Sequence, residues 1–246
     1  ANIALPKKII SSYPEHLTPF KDTVVFSANS RFYGREPWRS DGTEAGTQLL
    51  MDIAPGKQCS NPGPFAHWKD RLYFAAENSD YGRELWATKG ASETTHLVVD
   101  LSPGPTKAAP ELITAYGNSL YFTASRGQQA TDLWRLYGEE NILEIIPGFS
   151  EEIREIKEIS SIWNRLYIRC ADAKNNTMLY HLVDSGEDAP RVVSISPSPH
   201  DISALLEAWE GTEPDDDFLD NLVSLILPVS CIVPRETQQD TPLYFA

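Results

Sequence analysis

An all-β fold assembled from repeated four-stranded antiparallel sheets is predicted by three observations. The first is a period: Pro14, Pro62 and Pro110 stand 48 residues apart, as do Phe26, Phe74 and Phe122, and then Trp38, Trp86 and Trp134. A period of about 20–50 residues marks stacked supersecondary units, none of which can bury its apolar face alone. The second is the content of each unit, which is short β-branched and aromatic runs between Gly, Pro, Asn and Asp turns, with no room for a long helix. The third is size: four antiparallel strands in about 40–50 residues make one blade of a β-propeller. Together they give a small β-propeller of four to five four-stranded antiparallel blades, with a short C-terminal helical insertion.

The elements follow in register. The copies open as PEHLTPFKDTVVFSA (14–28), PGPFAHWKDRLYFAA (62–76) and PELITAYGNSLYFTA (110–124). In each, an apolar segment meets a polar pair, Lys21-Asp22, Lys69-Asp70 or Gly117-Asn118. Such pairs are turn chemistry, because Asp, Asn and Gly tolerate the angles of a tight reversal. The strands Val24-Val25-Phe26, Leu72-Tyr73-Phe74 and Leu120-Tyr121-Phe122 come next. GREPW (34–38), GRELW (82–86) and TDLW (131–134) mark the third strand, and TQLLMDIAPG, THLVVDLSPG and NILEIIPG hold the fourth. A fourth, degraded copy carries Leu166-Tyr167-Ile168, Met178-Leu179-Tyr180 and Val192-Val193-Ser194-Ile195. Its spacing shrinks to 46 at two landmarks at once, Phe122 to Ile168 and Trp134 to Tyr180. The blades therefore run near 13–60, 61–108, 109–154 and 155–199, with 1–10 as a closing strand.

In the first copy the Trp lies in Glu36-Pro37-Trp38-Arg39-Ser40-Asp41-Gly42-Thr43-Glu44-Ala45-Gly46-Thr47. This resembles the ELWxxDGTxxGT repeat of large bacterial surface or secreted proteins. The second copy keeps Glu84-Leu85-Trp86 and Gly90, the third keeps Asp132-Leu133-Trp134 and Gly138, and the fourth keeps Gly186. The resemblance spans residues 13–196 and decays along the chain. It implies a repeat scaffold of propeller type and a secreted or cell-surface setting, and it brings no catalytic set. The motif also reads as a hairpin turn, in which Asp caps amides, Gly takes a positive φ and Thr resumes the strand.

Net charge is −14, and it is uneven. Residues 1–138 hold 14 basic and 14 acidic side chains; residues 139–246 hold 7 and 21. An acidic half repels phosphates and anionic headgroups, which argues against nucleic-acid and membrane-surface partners. No apolar run reaches the length of a membrane span. Cys59, Cys170 and Cys231 are odd in number and unpaired in spacing, so they predict neither a disulfide framework nor a zinc site. The five histidines share no metal-ligand spacing, and no metal or cofactor is expected.

After Pro199 the repeat stops. Ile202, Leu205, Leu206 and Trp209 fall at helical spacing behind Asp201, and Phe218, Leu219 and Leu222 follow an acidic start at 213–217. Residues 200–246 are thus expected to hold a helical insertion and, through Leu243-Tyr244-Phe245, closing strands of a fifth blade.

Two functions of different class fit this chain. The first is a non-catalytic binding or scaffold propeller, recognising a protein partner or a glycan through its loops and the acidic C-terminal region. Its candidate ligand-binding residues are Trp38, Trp86, Trp134, Glu36 and Glu84, and its candidate partner surface is Ile202, Leu206, Trp209, Phe218 and Leu222. Large aromatics at a fixed repeat position are expected to fill core, so a sugar site requires them exposed. The second function is a glycan-active hydrolase or lyase using paired carboxylates near the propeller axis. It requires Glu36 or Glu84 beside another acid in an open pocket, whereas repeat-equivalent acids are expected to bond the backbone of their own blade.

Overall fold

A computed structural model describes residues 12–126, 131–147, 153–162, 165–172, 174, 177–183 and 190–194. They form four antiparallel four-stranded sheets, each a meander in chain order. The chain divides into two units, Ala1–Ile145 with three sheets and Ile146–Ala246 with the fourth. Sheet one is β1 (Glu15–Phe20), β2 (Thr23–Ser30), β3 (Gly34–Ser40) and β4 (Gln48–Leu49). Sheet two is β5 (Ala66–Trp68), β6 (Arg71–Asn78), β7 (Gly82–Thr88) and β8 (His96–Val99). Sheet three is β9 (Glu111–Tyr116), β10 (Ser119–Ser125), β11 (Thr131–Tyr137) and β12 (Ile142–Ile145). Among the described residues the one helical turn is a 3-10 turn at Ser92–Thr94.

The Phe and Trp landmarks are the two halves of one cross-strand pair. Phe26 stands opposite Trp38, Phe74 opposite Trp86 and Phe122 opposite Trp134. Residues opposite each other on neighbouring strands share a face, so each pair makes one broad aromatic surface. In the second unit, β13 (Ile153–Ile162), β14 (Arg165–Asp172), β15 (Thr177–Val183) and β16 (Arg191–Ser194) set Ile168 opposite Tyr180. The 46-residue step is therefore a true register step. Leu166, Tyr167 and Ile168 are all buried, so both faces of β14 are covered.

Period-2 alternation explains how the first three sheets stack. Leu72, Phe74, Ala76 and Trp86 of sheet two pack with Phe20 and Val25 of sheet one and with Leu50 and Ile53 of the linker that follows it. From the opposite face of sheet two, Tyr73, Leu85 and Ala87 pack with Leu120, Phe122, Trp134 and Leu136 of sheet three. Sheet two is thus covered on both sides, which is why β6 reads as an unbroken apolar run.

The first turn of sheets one and two departs from expectation. The left-handed residue is Lys21 (φ 54°) or Lys69 (φ 53°), and not the aspartate; in the third copy it is Gly117 (φ 54°). A bulky residue there is strained, and the structure shows what holds it. Lys21 Nζ donates to the Lys89 carbonyl at 3.3 Å and Lys69 Nζ to the Gly138 carbonyl at 2.6 Å, each on the next sheet.

The glycine that opens each GRE motif is a point of close approach. A Cβ at Gly34 would lie 1.8 Å from the Gln58 carbonyl oxygen, and one at Gly82 would lie 2.8 Å from that of Thr106. Gln58 and Thr106 are themselves 48 apart, so the linker between sheets crosses the same strand at the same place in both copies.

The Asp-Gly-Thr turn closes on itself. Asp41 Oδ1 accepts from the Thr43 amide at 2.9 Å and the Thr43 hydroxyl at 2.7 Å, while Gly42 takes φ 90°. These bonds hold the Asp41 carboxyl below the usual carboxylate range. Thr43 stays in the turn, and the strand resumes near Thr47, whose hydroxyl meets Ser40 Oγ at 2.7 Å. The second copy lacks the Asp yet keeps the outer clasp, with Thr88 and Thr95 hydroxyls 2.8 Å apart. The Asp is thus dispensable to the turn. An Asp41→Ala variant is expected to exchange its Thr43 amide proton about tenfold faster, with the global urea midpoint barely moved.

The expected closing strand at 1–10, the helical insertion and the fifth-blade strands at 200–246 lie outside the described residues.

Candidate functional site

The three repeat tryptophans do not share one environment. Trp86 and Trp134 are 5% and 8% exposed, enclosed between sheets one and two and between sheets two and three. They fill core, as a large aromatic at a fixed repeat position is expected to. Trp38 is only partly buried, and Phe26 and Val24 beside it are partly exposed, whereas Phe74, Phe122, Leu72 and Leu120 at the equivalent positions are fully buried. Pro14 is exposed where Pro62 and Pro110 are buried.

The cause is positional. Alternation along β2 sends Val25 and Ser27 toward sheet two, and Val24, Phe26 and Ala28 to the other face. On that face lies an open groove of about 650 Å³, with Leu17, Val24, Phe26, Ala28, Trp38 and Thr47 in its lining. Its floor is the Phe–Trp surface that sheets two and three bury under the sheet before them. Sequence reading singles out Trp38 but not Val24 or Leu17.

Glu36 and Glu84 are fully buried. Glu36 accepts from the Ile53 amide at 3.0 Å, the Ala54 amide at 3.3 Å, the Ser60 amide at 3.1 Å and the Ser60 hydroxyl at 2.6 Å. Glu84 accepts from the Leu101 amide at 3.0 Å, with the Ser102 and Ala108 amides also directed at it. Leu101, Ser102 and Ala108 are Ile53, Ala54 and Ser60 moved by 48 residues. Each glutamate is therefore a latch, pinning the linker that leaves the fourth strand of its own repeat.

Burial pushes the Glu36 carboxyl up to about 7 against the pull of those four donors. Glu84 is likewise pushed to about 7, by burial first, with the nearby negative Asp100 adding a smaller push. Neither carboxyl is within reach of a sugar oxygen unless its linker opens, and a general acid must touch its substrate. The residue at the latch position changes along the chain. In the third copy Asp132, one methylene shorter, pairs with Arg126 at 3.4 Å, and in the fourth Met178 holds the position opposite Cys170.

The remaining chemistry is sparse. Burial pushes the Cys170 thiol up to about 12, which removes it from nucleophilic use, and the exposed Cys59 accepts the Arg35 amide at 3.3 Å. Among the described residues no three His, Cys, Asp or Glu side chains gather as a metal site, and no helix is long and apolar enough to cross a membrane. The expected partner surface of Ile202, Leu206, Trp209, Phe218 and Leu222 lies outside the described residues, as does Cys231.

Compared with known proteins, the chain matches no family model and no curated protein sequence.

Proposed function

We propose that this chain is a non-catalytic binding and scaffold module of β-propeller type, built from ELWxxDGT-like repeats, which recognises a protein partner through the groove on its first sheet. A secreted or cell-surface setting goes with that resemblance. One observation carries the reading: the Phe–Trp surface is buried under a neighbouring sheet in two copies and open in the first. An apolar surface already shaped to receive a sheet face suits the apolar side chains of a protein. A sugar needs several convergent polar groups and charged or amide partners, and the polar side chains of the groove are one amide, Asn29, and the hydroxyls of Ser12, Ser30, Ser40 and Thr47. The hydrolase reading has less behind it, since Glu36 and Glu84 are engaged as latches.

A Trp38→Ala variant tests the proposal. Trp38 lies on an open face, so circular dichroism should match wild type, whereas Trp86→Ala in the closed core should lose about 3–5 kcal/mol. A protein partner captured from the native host and purified should bind the Trp38 variant about 30-fold more weakly, as for an aromatic anchor at an interface centre. Undiminished binding by the variant, recognition on a glycan array instead of a protein, or cleavage of a polysaccharide by the wild type would each overturn the reading.

A further inference from the structure

The groove follows β2 from Val24 to Ser30, and at its Ser30 end it meets the hairpin tip that joins β2 to β3. Arg31, Phe32 and Tyr33 make that turn. Ser30 pairs with Gly34, which takes the left-handed angle (φ 66°) that closes a three-residue hairpin. The Ser30 hydroxyl accepts from the Phe32 amide at 3.2 Å, so the tip is held from within. A loop fixed in this way has little ordering left to lose on binding.

Sheet two builds the same turn around different side chains. Asn78 pairs with Gly82 (φ 69°), and the Asn78 side-chain carbonyl accepts from the Asp80 and Tyr81 amides at 3.1 and 2.9 Å. Ser79-Asp80-Tyr81 stand 48 residues on from Arg31-Phe32-Tyr33. Tyr33 and Tyr81 are each 39% exposed and belong to the shared frame. Particular to the first tip are Arg31 in place of a serine and Phe32, 59% exposed, in place of an aspartate. An apolar ring held in water, where the next copy has an acid, gains nothing for the fold.

These two side chains are also organised. The Arg31 guanidinium lies 4.4 Å over the centroid of Phe32, whose ring meets that of Tyr33 edge-on at 6.4 Å. Among the described residues Arg31 has no ion pair. Glu15, Glu36 and Asp41 of the same copy are engaged elsewhere, with Arg35, in the latch and in the Asp-Gly-Thr turn. A guanidinium stacked on a ring keeps its in-plane fork of N–H donors for a carboxylate. The tip is convex and lines no part of the groove, so a larger molecule must bring that carboxylate to it.

We infer that Arg31 and Phe32 are the charged end of the recognition surface and bind an aspartate or glutamate side chain of the partner protein, beside the apolar side chains that fill the groove. This rests on the proposed function and adds the partner's charge and its place, at the Ser30 end. A charge at the rim of an interface acts chiefly on association rate and salt dependence, and the ring beside it excludes water.

A phage-displayed library of random peptides, selected on the full chain, tests the inference. Peptides enriched on the wild type and not on Trp38→Ala should carry Asp or Glu at one end of an apolar run. Selection on Arg31→Glu should replace that acid with Lys or Arg. One such acidic peptide, made synthetically, should bind Arg31→Gln about tenfold more weakly than wild type at about 50 mM NaCl, and within about twofold of it at about 1 M. Both residues are exposed, so circular dichroism of these variants should match wild type. Trp38-dependent peptides without an acid, or an acid bias unchanged on Arg31→Glu, would overturn the charged end and leave the groove as the recognition surface. Acidic peptides that follow Arg31 but bind Trp38→Ala equally would keep Arg31 as the acid site and remove the groove. Enrichment of no peptide, or binding to phosphatidylglycerol vesicles that is lost in Phe32→Ala, would overturn the inference.

Discussion

Replacing Glu36 with alanine is expected to lower the unfolding free energy by about 4 kcal/mol, measured as a drop in the urea midpoint at unchanged slope. Two buried amides, those of Ile53 and Ala54, lose their acceptor at once, while the Ser60 amide keeps its bond to the Arg35 carbonyl at 3.0 Å but loses the carboxylate, as does the Ser60 hydroxyl. Each unsatisfied buried donor costs about 1–3 kcal/mol, and partial relaxation of the linker recovers some of that sum. The loss also spreads, because the pinned linker carries Leu50 and Ile53 into the core against Phe74 and Trp86. Glu84→Ala should behave alike through Leu101, which packs against the next core. Asp132→Ala should cost far less, since that carboxylate is partly exposed and, among the described residues, is held by a surface pair with Arg126. A Glu36→Ala change of under about 1 kcal/mol would mean that the linker stays in place without its latch.

The sheets were legible because their signal is local and repeated. A Phe and a Trp 12 residues apart, kept through three copies, reduce to one cross-strand pair, and a shared step of 46 placed the fourth sheet correctly at Ile168 and Tyr180. That repeat-equivalent acids would bond their own blade was also readable from Glu36 and Glu84. Their partners were not, since a carboxylate reaching an amide 17 to 24 residues on depends on how the linker folds back. The left-handed lysines were illegible for a similar reason: local propensity assigns the strained angle to Asp22 or Asp70, and a contact on the next sheet reverses it. The open groove lay furthest from sequence reasoning. Trp38, Trp86 and Trp134 sit alike within their own strands, and only the presence of a covering sheet separates them.

The same latches are expected to give the protein a falling stability as pH rises from about 5 to about 7.5, the reverse of what paired surface carboxylates produce. Burial raises the Glu36 and Glu84 carboxyls from 4.5 to about 7. The folded state then holds these protons more tightly than the unfolded chain. The stabilisation is fully present below pH 4.5 and is lost as pH climbs through 7. At about 1.4 kcal/mol per pH unit the ceiling is about 3 kcal/mol for each group. Ser60 gives the protonated form a place to exist. Its hydroxyl lies 2.6 Å from Glu36 Oε2 and 3.4 Å from the Arg35 carbonyl, so it can accept the carboxyl proton while donating to Arg35. Glu77, held low by Lys107 and Asn61, has the opposite sign and loses its contribution as pH falls below the unfolded value of 4.5. The urea midpoint should therefore peak near pH 5. In a Glu36→Gln, Glu84→Gln double variant the fall toward pH 7.5 should disappear while the acid side of the peak remains. Glu36→Ala should also cost more at pH 5 than at pH 8, because the wild type has already given up the proton-linked part at the higher pH. A wild-type midpoint that stays level or rises between pH 5 and 7.5 would show that the four donated hydrogen bonds outweigh burial and keep Glu36 ionised.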